Sequence, residues 1–290
     1  MKALLFGSTG QVGSALDEEA PSSSILHCLT RADLDLSDCR SISQIIRQYR
    51  PELVLNAAAY TAVDRSESEP ALAYAVNAEA PGAMARACRE CDALFVHYST
   101  DYVFDGTARQ PYTENSPVDP QGVYARSKCD GESAVMAAGG RSLIIRTGWV
   151  YSHLGRNFVQ AVLHKAASQT RLQIVTDQTG TPTYAPDLAR ATWQVVHHVL
   201  ACGSSGLPRV VHASGAGETT WHGFARALFD NLGRDDIVLD PITTADFPTQ
   251  APRPAYSVLS NKRLAGEFGV RLPPWEDGLA RCVERLQAGE

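Results

Sequence analysis

No run of apolar residues in this chain reaches the length that a membrane-spanning helix requires, and neither internal repeats nor low-complexity tracts interrupt it. Cysteine is sparse and unpatterned. Seven residues, an odd count without framework spacing, exclude a disulfide scaffold and point to reduced thiols in a cytoplasmic setting. Cys88-Arg89-Glu90-Cys91 is a CxxC, but it lies in an alanine-rich helical pattern with no second pair, so it reads as a helix feature and not as a metal or redox site. Basic excess is also missing: a net charge of −6 argues against nucleic-acid or membrane-surface partners, while leaving room for a local basic pocket that takes a phosphorylated ligand. A strand begins at once with Met1-Lys2-Ala3-Leu4-Leu5-Phe6, which leaves no room for a signal peptide. What is present is ordinary for a globular protein, 44% apolar and 20% charged over 290 residues, enough for one large α/β domain or two modest ones.

The first strand runs into Gly7-Ser8-Thr9-Gly10-Gln11-Val12-Gly13, a GxxGxxG turn that opens a helix. Glycines there allow a tight turn and close backbone approach, and the helix N-terminus attracts a pyrophosphate, so the stretch reads as a dinucleotide site. A second strand, Ile25 to Leu29, ends in Thr30-Arg31. An acid at that strand end would bind a ribose and favour NADH; Arg31, 18 positions beyond Gly13, offers a guanidinium to a 2′-phosphate and makes NADPH the first choice, with NADH still possible. Asp33 to Asp38 reads as a loop closed by a Ser37 or Asp38 helix cap, in the place where adenine often lies. Three alanines, Ala57 to Ala59, follow the strand Leu53-Val54-Leu55 and permit packing against a flat ligand. A long helix is expected from about Pro70 to Glu90, with Asn77 as a packing residue able to brace nearby backbone.

A hydroxyl-rich segment, Ser99-Thr100-Asp101-Tyr102, follows the apolar run Leu94-Phe95-Val96, and about two dozen residues later Tyr124 and Lys128 stand four apart. On a helix that spacing places both on one face, where an ammonium would favour the phenolate and lower the tyrosine pKa. Strand-end hydroxyl, tyrosine and lysine in this order resemble the short-chain dehydrogenase/reductase constellation. The alternation of strands and helices through Tyr151 predicts an α/β fold, a Rossmann-type doubly wound parallel sheet over residues 1–150. A smaller C-terminal α/β substrate-binding domain is expected over 151–290, with the helix around 186–200 packing back on the first domain and Val210-Val211-His212 opening the second part. His197 and His198 are adjacent and make a poor metal pair. Arg253, between two prolines, sits in a stiff loop that suits either phosphate pairing or plain exposure.

Taken together, these runs resemble the dTDP-4-dehydrorhamnose reductase family of extended short-chain reductases over nearly the whole length. The carriers are Gly7 to Gly13, Asn56 to Asp64, Ser99 to Phe104, Tyr124 with Lys128, Arg146 to Tyr151, Asn157-Phe158, Asp177 to Thr183, and Arg253-Pro254 with Ser257. The resemblance implies that Thr100, Tyr124 and Lys128 form the catalytic set, with hydride from NAD(P)H to C4 of a 4-keto-6-deoxy sugar and a proton from Tyr124. It further implies cofactor contacts from Gly7, Gly10, Gln11, Val12, Gly13, Arg31, Asp35, Leu36, Ala57, Ala58, Thr61, Tyr124 and Lys128. A sugar pocket would be lined by Val63, Thr100, Asp101, Tyr102 and Trp149, and Arg253 would meet the dTDP portion. Some members dimerise around magnesium held by acidic residues; here Ala15 and Pro186 stand at two such places, so no metal is expected and the chain is expected to be a monomer or weak homodimer. Ala125 replaces a glycine that often follows the tyrosine, a small change. Two rivals remain open at this point: a reductase or epimerase of another nucleotide sugar, and a non-catalytic NADP-binding subunit of the kind that modulates a methionine adenosyltransferase.

Overall fold

The computed structural model describes residues 1–202 and 209–289. Its first half alternates strands and helices: β1 (Lys2–Phe6), α1 (Gln11–Glu18), β2 (Ile25–Leu29), α2 (Cys39–Tyr49), β3 (Leu53–Asn56), α3 (Val63–Ser66), α4 (Pro70–Tyr74), α5 (Ala80–Glu90), β4 (Leu94–Thr100), α6 (Gly122–Ala138) and β5 (Ser142–Thr147). Then follow β6 (Val150–Tyr151), α7 (Phe158–Ala166), β7 (Arg171–Val175), β8 (Thr179–Gly180), β9 (Thr183–Tyr184), α8 (Ala185–Cys202) and β10 (Val210–His212). The chain closes with β11 (Thr219–Thr220), α9 (Trp221–Leu232), β12 (Val238–Ile242), α10 (Lys262–Phe268) and α11 (Trp275–Ala288).

Six strands form one parallel sheet in the order β2-β1-β3-β4-β5-β10. Strand side chains alternate between faces, so Ala3 and Leu5 join a core with α1 and α8, while Leu4 and Phe6 join another with α2 and α5. Both faces are therefore covered, and the inner strands β1 and β3 read as nearly continuous apolar runs for that reason. Burying a side chain such as Leu5 or Phe6 stabilises the fold by roughly 1.5–3 kcal/mol. A third core gathers Tyr151, Val159, Phe224, Trp275 and Leu279 from the second part.

Two expectations are corrected. Val210-Val211-His212 does not open the second part: as β10 it pairs in register with Ile144-Ile145-Arg146 at the edge of the main sheet. Three residues carry no periodicity from which sheet membership can be read, and only the pairing decides it. The helix expected from Pro70 to Glu90 is broken by a π-helical turn at Ala75–Glu79. Pro81 has no N–H to return to the Asn77 carbonyl four residues back, so the ladder is loosened where it would have closed. The freed Asn77 carbonyl lies so close to Gly131 of α6 that any Cβ there would collide with it.

Candidate active site

The strand order reverses between β1 and β3, and the loops at their carboxyl ends face each other across the crevice where such sheets bind ligands. Gly7 holds φ +80°, and a Cβ on it would lie 2.7 Å from the Ala58 backbone; one on Gly13 would strike the Gly7 carbonyl. The Gly7–Gly13 turn thus exists only without side chains at those points. No side chain caps α1 at Gly10, so the N–H groups of its first turn remain available to an anion. These features fit a dinucleotide pyrophosphate. Ala57 and Ala58 are half-buried beside the turn, with Val12 on the α1 side.

Arg31 lies exposed past the end of β2 and makes no ion pair among the described residues. Asp35 is exposed and takes the Ser37 N–H at 2.9 Å and its hydroxyl at 2.8 Å, while Asp38, not Ser37, caps α2. Leu36 packs at the margin of the α2-side core, and Thr61 is exposed two residues before α3. The Gln11 side chain is turned away from the turn: it donates to the Val150 carbonyl at 3.4 Å and accepts from Asn157 at 2.9 Å.

Thr100 ends β4, and Tyr124 sits in the first turn of α6, partly open to the cleft. Burial pushes the Tyr124 phenol up to about 12; the Thr100 hydroxyl beside it pulls back, and Asp101 pushes further up. The lowering by Lys128 expected from the spacing is therefore overturned. Lys128 is buried, its ammonium donates to the Tyr98 carbonyl at 2.6 Å, and desolvation brings its own pKa down to about 8. The i, i+4 spacing places the two on one face, but the dryness of the site outweighs the charge. Behind them Asn56 holds the buried His97 at 3.0 Å, and burial keeps that imidazole neutral.

Asp101 is buried beside Thr100, whose hydroxyl donates to it at 3.0 Å. Desolvation lifts its carboxyl to about 6, against relief from Ser257 and Thr100. Ser257 faces the second carboxyl oxygen without closing a hydrogen bond of standard geometry. Tyr102 meets Tyr124 edge to face at 5.8 Å. Asn77 braces this region as the sequence allowed: its amide bonds both the N–H and the carbonyl of Tyr60 and donates to Ser127, which donates to the Tyr124 carbonyl.

Trp149 has a left-handed backbone, φ 49°, and stacks on Trp221 with ring centroids 3.4 Å apart. Its indole fills the space a side chain at Gly180 would need. Val63 starts α3 at the same cleft, half-buried. Arg253 is neither free nor simply exposed: it donates to Asp64 at 2.7 Å. Sequence reasoning assigned no role to Asp64, Glu67 or Trp221. Asp64 lay inside a quoted run, but nothing in one dimension says which loop an acid will meet.

The model of a family described as RmlD substrate binding domain matches residues 1–288. A dTDP-4-dehydrorhamnose reductase from Burkholderia thailandensis is 41% identical, covering 99% of both chains. Among solved structures, a dTDP-4-dehydrorhamnose reductase from Clostridium acetobutylicum superposes with a TM-score of 0.92 at 36% identity, over 99% of this chain and 100% of that one. The enzyme of that name from Bacillus anthracis, in complex with NADP, gives 0.90 at 32% identity, over 98% of this chain and 99% of that one.

Proposed function

This chain belongs to the RmlD substrate binding domain family, and from that membership we propose an NADPH-dependent oxidoreductase that reduces the C4 ketone of dTDP-4-dehydro-6-deoxy-L-mannose to dTDP-L-rhamnose. The observation that carries the chemistry is Tyr124, half-open to the cleft, with the Thr100 hydroxyl against its phenol and Lys128 one helical turn away. NADPH, when bound, supplies the hydride. Tyr124 supplies the proton to the ketone oxygen, and a phenol held near 12 keeps that proton until negative charge develops on the oxygen. Thr100 has one proton, now directed to Asp101; turning it to the ketone would orient the carbonyl. Lys128 would hold the nicotinamide ribose, and its ammonium would steady the phenolate left behind.

The Gly7–Gly13 turn with Val12, Gln11, Ala57, Ala58, Thr61, Asp35 and Leu36 would bind the dinucleotide, and Arg31 its 2′-phosphate. Val63, Asp101, Tyr102 and Trp149 would line the sugar pocket, with Arg253 at the diphosphate. We divide the chain into a dinucleotide-binding part, 1–150 together with the helix near 186–200 and β10, and a mainly substrate-binding remainder to 290. The reading includes a monomer or weak homodimer working in the cytoplasm.

The test is NADPH oxidation with freshly made dTDP-4-dehydrorhamnose. Tyr124→Phe is expected to lower turnover by about 10²-fold or more while NADPH affinity stays unchanged, because it removes the acid and almost no surface. Wild-type turnover by that variant would remove Tyr124 as the donor. Absence of turnover by the wild type, with NADPH bound, would move the substrate to another keto sugar.

A further inference from the structure

Asp64 lies in α3, on the dinucleotide side of the cleft, and both its oxygens reach the loop that carries Arg253. One accepts the Ala251 N–H at 3.1 Å; the other accepts from the Arg253 guanidinium at 2.7 Å. Arg253 also donates to the Ala251 carbonyl at 3.1 Å, which closes a ring of three bonds around the loop. The loop is stiff on its own account. Pro252 and Pro254 flank the arginine, Pro254 packs where a side chain at Gly106 would fall, and Tyr256 donates to the Gly106 carbonyl at 3.0 Å. Gly106 stands four residues after Tyr102, and Tyr102 lies within range of both charges of the pair.

A carboxylate beside an anion-binding arginine opposes the anion by charge alone. Its presence is useful only if orientation outweighs that repulsion. A guanidinium carries five N–H donors in a rigid fork; the bonds to Asp64 and Ala251 use one from each terminal nitrogen and fix the plane, so the remaining donors are aimed before a ligand arrives. The arginine side chain is 17% exposed and the aspartate 44%, so the guanidinium is the more covered partner of the pair.

We propose that Asp64 is a positioning residue, which holds Arg253 aimed at the diphosphate of the nucleotide sugar. This rests on the substrate class assigned above. The test compares wild type, Asp64→Asn, Arg253→Ala and the double variant, reading KM and kcat for the keto sugar, calorimetric binding of dTDP, NADPH affinity and thermal midpoint. Asp64→Asn keeps an acceptor for the Ala251 N–H but removes the charge. It is expected to raise KM and the dTDP Kd about five- to tenfold, the scale of a partly exposed ion pair plus an ordered side chain. Turnover at saturation, NADPH affinity and the thermal midpoint stay as in the wild type. In the Arg253→Ala background the same change has no further effect, because there is nothing left to orient.

Tighter dTDP binding by Asp64→Asn would overturn the proposal and make the carboxylate a plug. Additive losses in the double variant, or a fall in NADPH affinity and midpoint together, would reduce Asp64 to a loop staple. A wild type that binds dTDP with the predicted Asp64 dependence yet reduces no dTDP-keto sugar would remove the proposed reaction and leave Asp64 its role. A wild type that does not bind dTDP would remove both.

Discussion

Asp101 keeps a carboxyl group at 3% exposure, and its folded pKa of about 6 stands above the ordinary 3.8. A carboxyl with a raised folded value binds its proton more tightly in the native state. Its contribution is fully present below pH 4 or so and is lost as pH rises through about 6. Asp101→Asn is therefore expected to be more stable than wild type above that range, by up to about 3 kcal/mol, since each pKa unit is about 1.4 kcal/mol. Urea unfolding of both proteins across the pH range checks this: the gap should close as pH falls through 6 toward 4, and a gap independent of pH would show that the carboxyl is not the cause. At this scale the sequence told half the story. Tyr124 and Lys128 could be paired from their spacing, but the sign of the Tyr124 shift could not, because it comes from burial by residues far away in the chain.

Helix α6 starts without help from its own N-cap: Gln121 offers no side-chain bond there. Glu67, the residue just after α3, instead accepts the Val123 N–H at 2.8 Å, one residue before Tyr124. One helical turn and its C-cap thus hold two segments, the Arg253 loop through Asp64 and the Tyr124 helix through Glu67. Glu67→Ala should cost about 1 kcal/mol, the value of a lost cap, and lower turnover more than NADPH affinity. Equilibrium denaturation together with kcat and NADPH binding would check it; unchanged turnover would mean that α6 is held elsewhere. Four residues, Val63-Asp64-Arg65-Ser66, are too few to show a helical period, so neither the helix nor its two grips could be read in advance. The π-helical turn that contains Asn77 was hidden for a different reason: alanine favours any helix, and Pro81 marks a loosened ladder without telling i+4 from i+5 bonding.

Across the whole molecule, the cofactor turn and the second part are joined by Gln11 and Asn157, and β10 returns the chain to the first sheet after the second part has begun. Ala15 is 3% exposed in the core between α1 and α8, and Pro186 is buried in the first turn of α8, so neither place offers a carboxylate to a bridging ion. Sedimentation is expected to give a monomer or weak homodimer indifferent to magnesium or chelator; a magnesium-dependent dimer would overturn this. By itself the sequence determined the doubly wound sheet, the Gly7–Gly13 turn and the pairing of Tyr124 with Lys128 on one helix face, because strand period, helix spacing and glycine turns are local properties of a chain. Tertiary structure alone decided the upward shifts of Tyr124 and Asp101, the partner of Arg253, the stack of Trp149 on Trp221 and the place of β10. Each of these depends on which distant segment comes to lie alongside, and desolvation and ion pairing act through space between residues that are far apart in sequence.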